Sequence, residues 1–173
     1  MIIIPYIELD GIRTFDDTYI RGLYRQMVED GTADTVFMDG CITDEEGFLN
    51  MFKYGGNNLF VLTEDKRPVG ITWLNGCKKN TATAHFCMFK CIWGKNSVDV
   101  GKQTIQWLLN LKDETGRYYH DVITGVTPAK NRFAVGYIQK IGMNIVGEIP
   151  GLTWIAADGE SSPAVISYIT RET

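Results

Sequence analysis

Residues 84–102 read AHFCMFKCIWGKNSVDVGK, and the parsing of this stretch decides the fold. Its first ten residues form an apolar run rich in aromatic side chains, and from Val98 onward apolar residues recur at helical spacing. Between the two stands Gly94-Lys95-Asn96-Ser97. Gly94 lets backbone approach a ligand closely, Asn96 tolerates a left-handed turn, and Ser97 is suited to cap a helix beginning at Val98. The stretch therefore predicts strand, turn and helix, with helix N-terminal amides offered to an anion and Lys90, Lys95 and Lys102 adding positive charge. An ordinary strand-to-helix connection is the competing reading, because the turn lacks the spacing of a nucleotide-triphosphate loop.

Toward the N-terminus, residues 59–63 and 69–74 are short apolar runs joined by Glu64-Asp65-Lys66-Arg67-Pro68, which predicts an antiparallel hairpin, with 81–93 as its third strand. Residues 17–29 carry Ile20, Leu23, Tyr24, Met27 and Val28 at helical spacing, after a strand at 1–9 closed by Asp10-Gly11. Thr43 and Glu46 have the spacing of a capping box ahead of a helix bearing Phe48, Leu49, Met51 and Phe52. The acids Asp39, Asp44, Glu45 and Glu46 suit either that helix's dipole or a cationic substrate, and the dipole is the simpler explanation.

Toward the C-terminus, a helix over 98–112 is expected to pack through Val98, Gly101, Ile105, Leu108 and Leu109. A strand at 122–126 contains Gly125, a sign of close backbone approach. A helix over 129–141 has Phe133, Tyr137 and Ile141 as its inner stripe, and strands at 143–149, 152–156 and 164–170 close the chain. The order is strand, two helices, three strands, helix, strand, helix, then closing strands. It predicts an α/β fold with a mixed, mostly antiparallel sheet and helices on both faces.

A chain of 173 residues, 45% hydrophobic, suits a single domain spanning 1–173. The net charge of −4 gives no basic surface for nucleic acid or membrane, and no apolar run approaches the length of a membrane span. Cys41, Cys77, Cys87 and Cys91 form no Cys-x-x-Cys pair, which reads as reduced thiols of a cytoplasmic protein. His85, Cys87 and Cys91 share strand parity, but with Cys77 they match no zinc template, so no metal is expected.

This order, with the glycine turn between the strand carrying His85 and the next long helix, resembles the GNAT superfamily of acetyl-CoA-dependent N-acetyltransferases across nearly the whole chain. Family members carry Arg/Gln-x-x-Gly-x-Gly/Ala at that turn, often with Gly-Lys in the middle. Trp93-Gly94-Lys95-Asn96-Ser97-Val98 lies on it, with Gly94 and Lys95 in agreement, Trp93 for Arg/Gln, Asn96 for a glycine and Val98 for the small final residue. Asn131, Ala134, Lys140, Gly142 and Met143 reproduce a second family pattern, Asn-x-x-Ala followed by Lys-x-Gly-Phe, with Met for Phe. Short GNAT-like proteins of phages and prophages are also broadly similar.

The resemblance implies acetyl-CoA as cosubstrate, its phosphates at Trp93, Gly94, Lys95, Asn96 and Ser97, with Asn131 contributing, and its pantetheine arm along the backbone of Met88, Lys90 and Ile92. It implies transfer of an acetyl group directly to a primary amine of a small molecule or protein. Many members protonate the departing thiolate with a Tyr seven positions after the Asn; here that place is Ile138, with Tyr137 one residue early, about 100° around the helix. Tyr137 is therefore a displaced candidate acid, with a packing role as its rival. His85 is the candidate base because imidazole titrates near neutrality, against a plain core histidine; Glu148 and Asp121 compete for the role. The alternative function is a non-catalytic binding or assembly protein on the same scaffold, self-associating as a homodimer or bound to a partner.

Overall fold

The computed structural model describes residues 1–171. The chain divides into two compact units, Met1–Leu74 with His85–Trp93, and Asn75–Ala84 with Gly94 onward. The strands are β1 (Ile2–Pro5), β2 (Glu8–Leu9), β3 (Ile12–Arg13), β4 (Asn58–Glu64), β5 (Arg67–Lys78), β6 (Thr81–Met88), β7 (Val122–Pro128), β8 (Asn144–Ile155) and β9 (Glu160–Thr170). The helices are α1 (Asp17–Glu29), α2 (Ala33–Val36), α3 (Glu45–Lys53), α4 (Lys95–Leu109) and α5 (Arg132–Lys140). Seven strands form one sheet in the order β1-β4-β5-β6-β7-β9-β8, and β2 with β3 forms a separate two-stranded hairpin. Pairs β1–β4, β4–β5, β7–β9 and β8–β9 are antiparallel, while β6–β7 is parallel. This is the mixed, mostly antiparallel α/β sheet that the order of elements predicts.

The first unit is built on helical periodicity meeting strand alternation. Ile20, Leu23, Tyr24 and Met27 form the buried stripe of α1, and Phe48, Leu49 and Phe52 that of α3. They cluster with Leu59 and Val61 of β4, Ile71 and Trp73 of β5, and Cys87 and Phe89, alternate residues that share one strand face. Aromatic contacts join the layers, with Phe48 edge-on to Phe52 at 4.9 Å and Phe37 stacked on Trp73 at 5.9 Å. Val28, read as part of the α1 stripe, is 55% exposed because it follows Met27 round to the solvent side. The cap of α3 is Asp44, not Thr43: its carboxylate accepts the Gly47 amide at 2.7 Å, and Glu46 accepts from Arg21 of α1. The expected N-terminal strand is shorter, since Asp10 and Gly11 take positive φ and turn the chain into the β2–β3 hairpin.

In the second unit α4 packs on α5 at Gly101, where a Cβ would lie 2.1 Å from the Tyr137 hydroxyl and 2.7 Å from Ile141 Cγ2. Gly125 permits an equally close approach on β7, where a Cβ would lie 2.8 Å from Ser167 Oγ. Helix α5 starts three residues later than expected because Pro128 still belongs to β7 and Asn131 is the cap. Phe133 shares an angular stripe with Tyr137 and Ile141, yet it is 94% exposed, since the first turn of α5 extends beyond the surface that the stripe covers. The closing segments expected at 143–149 and 152–156 are one strand, β8, with register shifts between Ile145 and Gly147 and between Ile149 and Thr153.

Candidate functional site

The second unit holds the turn. Gly94 is the N-cap of α4 with φ 94° and ψ −140°, a conformation open to glycine alone, and the helix begins at Lys95 rather than Val98. Asn96 and Ser97 are consequently helical. Ser97 does not cap; its hydroxyl donates back to the Gly94 carbonyl at 2.7 Å. Helix α4 therefore starts with no side-chain cap and no acid in its first turn, whereas Asp16, Asp44 and Asn131 cap α1, α3 and α5. Lys95, an exposed cation, stands where the helix dipole is positive. An arrangement that places a cation at an uncapped helix N-terminus is unfavourable alone and favourable around an anion.

Asn131 fills the role that its position after β7 allows, its side-chain oxygen accepting the Ala134 amide at 3.0 Å. Tyr137 is half-buried against α4, and its hydroxyl donates to the Ser97 carbonyl at 3.0 Å. Burial pushes the phenol above the ordinary tyrosine range. Ile138, at the family's acid position, is 6% exposed and belongs to the core. Asp121 is engaged with Arg171 at 2.8 Å, and Glu148 is exposed on β8.

The first unit holds the other expected residues. Strand β6 ends at Met88, earlier than the sequence suggests, and residues 90–92 form a turn of 3₁₀ helix. Its amides are largely taken internally: Phe89 N–H donates to the Val69 carbonyl at 2.9 Å, Lys90 N–H to the Asp30 carboxylate at 2.7 Å, and Ile92 N–H to the Phe89 carbonyl at 3.1 Å. Ile92 is buried, whereas Trp93 is 51% exposed and its indole N–H donates to the Met88 carbonyl at 2.8 Å. Within the second unit the β6–β7 ladder covers Thr81↔Val122 to Thr83↔Thr124.

His85 stacks on Trp73 with centroids 4.9 Å apart and planes 5° from parallel, and its Nε2 is buried without a hydrogen-bond partner. Burial pushes its pKa down to about 4, opposed only by the negative charge of Asp39. His85 is thus a neutral imidazole at pH 7 and a weak base. Cys87 donates to the Thr32 hydroxyl at 3.5 Å, and burial raises its thiol to about 11. Among the described residues no cluster of His, Cys, Asp and Glu could hold a metal ion, and no helix is long and apolar enough to cross a membrane.

Three local features were missed in the sequence: the Trp93–Met88 bond, the Asp30–Lys90 bond and the Gly101–Tyr137 contact. Asp30 reads as a helix stop and Gly101 as generic packing, so only the small residue at Gly101 carried any signal.

The strand order, the parallel β6–β7 pair and the glycine-led helix α4 make this the GNAT acetyltransferase fold. Solved structures with this fold are similar along nearly the whole chain. An acetyltransferase from Salmonella typhimurium that modifies the N-terminal serine of a 50S ribosomal subunit protein matches with a TM-score of 0.72 at 9% identity, over 91% of this chain and 92% of that one. The microcin C7 self-immunity acetyltransferase, solved in complex with acetyl-CoA and AMP, matches with a TM-score of 0.70 at 11% identity, over 90% and 89%. A GNAT-family acetyltransferase from Bacillus anthracis matches with a TM-score of 0.67 at 15% identity, over 91% and 92%. No family model matches the sequence, and no curated protein matches it by sequence.

Proposed function

We propose that this protein is an N-acetyltransferase that moves an acetyl group from acetyl-CoA directly to a primary amine of a small molecule or protein. The observation that carries the reading is the start of α4: a glycine-only turn, no side-chain cap, and Lys95 where a dipole would favour an acid. A diphosphate satisfies the open amides and the cation together. The resemblance assigns the CoA phosphates to this turn, and structurally similar acetyltransferases solved with bound acetyl-CoA support the cosubstrate.

In the reaction the amine nitrogen attacks the thioester carbonyl, the C–S bond breaks, the amide forms, and the thiolate takes up a proton as the amine loses one. Neutral His85 accepts that amine proton poorly at pH 7, so acceptors already partly neutral there are favoured over strongly basic ones. Tyr137 keeps its proton but spends it on Ser97, so delivery to a thiolate requires that bond to open. Trp93 occupies the Met88 carbonyl, one of the backbone acceptors assigned to pantetheine.

The last two observations favour a second reading, a non-catalytic binding or assembly protein that keeps the scaffold. Isothermal titration of the purified chain with acetyl-CoA and, separately, desulfo-CoA decides between them. Saturable binding of both, followed by thiol release with α-amine or ε-amine acceptors, supports the transferase; absence of binding to either at millimolar concentration refutes it.

A further inference from the structure

The β2–β3 hairpin of the first unit has its two faces reversed. Its ladder pairs Glu8 with Arg13 and Leu9 with Ile12, and the Thr14 amide donates to the Ile7 carbonyl at 3.0 Å. Residues alternate along a strand and paired residues share a face, so Ile7, Leu9, Ile12 and Thr14 lie on one side, Glu8 and Arg13 on the other. The charged side is turned toward the helices. Glu8 accepts from the Tyr6 hydroxyl at 2.5 Å, Arg13 pairs with Asp17 of α1, and Lys53 of α3 reaches Asp17 at 3.2 Å and Glu8 at 4.0 Å. The apolar side faces outward, with Ile7 55%, Leu9 67% and Ile12 79% exposed.

A hairpin on a folded core normally does the opposite. Ion pairs that are partly open to water stabilise too little to explain the choice. A slip of one residue would turn the apolar row inward, but Asp10 and Gly11, with φ 52° and 78°, form a two-residue turn that fixes the pairing. The sequence therefore specifies an outward apolar row. Tyr54, next to Lys53 at the end of α3, adds a ring that is 79% exposed.

Charge selects the occupant. Glu8, Asp10, Asp16 and Asp17 stand on or beside the hairpin against Arg13 and Lys53, and both cations are engaged with Asp17. Asp10 sits at the tip beside Leu9, and Asp16 caps α1. This excess of acid repels nucleic acid and anionic bilayers, and also a second copy, which would bring the same carboxylates. We propose that the hairpin is the docking site for a basic amphipathic helix of a partner protein. Its apolar stripe lies on Ile7, Leu9 and Ile12, and its Lys or Arg side chains meet Asp10 and Asp16.

The test uses the whole chain and a labelled helical peptide of Leu and Lys, about 18 residues long, with Leu at helical spacing. Fluorescence anisotropy should show saturable binding that weakens with salt, and a peptide with Glu for Lys should bind at least about tenfold less tightly. Leu9→Thr with Ile12→Thr should weaken binding by more than about tenfold while the circular dichroism melt stays as in wild type. Asp10→Asn keeps the turn, because Asn-Gly takes the same conformation, and should weaken binding about threefold. Phe133→Ser, on the exposed start of α5, should leave it unchanged. No binding of the Lys peptide at about 100 µM overturns the inference, as does binding that ignores the paired Thr changes or the sign of the peptide charge. Equal affinity for phosphatidylcholine vesicles, or a dimer in sedimentation that the Thr changes dissolve, assigns the row to another occupant and overturns it too. None of these results depends on CoA binding.

Discussion

Replacing Gly101 by Ala inside α4 sets two effects of opposite sign against each other. Helix propensity alone favours alanine over glycine by about 0.8–1.0 kcal/mol. The added Cβ, however, would stand 2.1 Å from the Tyr137 hydroxyl, 2.7 Å from Ile141 Cγ2 and 2.9 Å from Tyr137 Cζ. Real Cβ contacts do not come this close, so the tyrosine must move. Overpacking of this kind costs roughly 1–3 kcal/mol. Moving Tyr137 also loses its bond to the Ser97 carbonyl, worth roughly 0.5–1.5 kcal/mol. The net expectation is destabilisation of about 0.5–3.5 kcal/mol, centred near 2. For a chain of this size that lowers Tm by about 4–8 °C. Thermal melts of Gly101→Ala, Tyr137→Phe and the double variant provide the assay. The double variant should be more stable than the sum of the single changes predicts, because removing the phenol oxygen removes the shortest contact. Gly101→Ala melting at or above wild type would refute the packing assigned to α4 and α5.

The remaining predictions concern the turn and the buried histidine. Gly94→Ala meets no atom within 4 Å, so its expected loss of roughly 1–3 kcal/mol comes from backbone strain at φ 94°; urea titration measures it, and an unchanged midpoint would remove the case for a glycine-only turn. Lys95→Ala should raise stability slightly, by about 0.3–1 kcal/mol, while weakening acetyl-CoA binding severalfold; titration at two salt concentrations checks both signs, and unchanged affinity excludes Lys95 from the phosphate site. His85 has its folded pKa lowered from 6.5 to about 4, so the unfolded chain binds the proton more readily. Its contribution is present above pH 6.5 and is lost as pH falls toward 4, by up to about 3 kcal/mol. His85→Gln should flatten stability across that window, and an unchanged slope would mean that the imidazole is not buried in its neutral form.

The elements were legible where one face of a periodic segment is buried. Ile20, Leu23, Tyr24 and Met27 announce α1 because a helix repeats every 3.6 residues, and Leu59 to Leu62 announce β4 because the run is short and apolar. Boundaries were less legible because caps compete locally: Thr43 and Asp44 are both good caps, and contact between Glu46 and Arg21 of another helix accompanies the use of Asp44. Gly94 was read correctly as a turn ahead of a helix, whereas Lys95, read as part of that turn, is the first helical residue. The roles given to Asn96 and Ser97 differed, since the helix starts at Lys95 and takes in both.

Sequence by itself determined the order of elements, the hairpin and glycine punctuation, and hence the mixed sheet, because periodicity and turn chemistry act over a few residues. Only the tertiary structure decided the chemistry of individual side chains. The basicity of His85 depends on desolvation against Trp73, and the availability of the Tyr137 proton depends on a carbonyl forty residues away in the chain. Whether Phe133, Val146 or Trp154 is core or surface depends on what lies opposite each one. These are properties of neighbours, and neighbours are fixed by packing between segments distant in sequence.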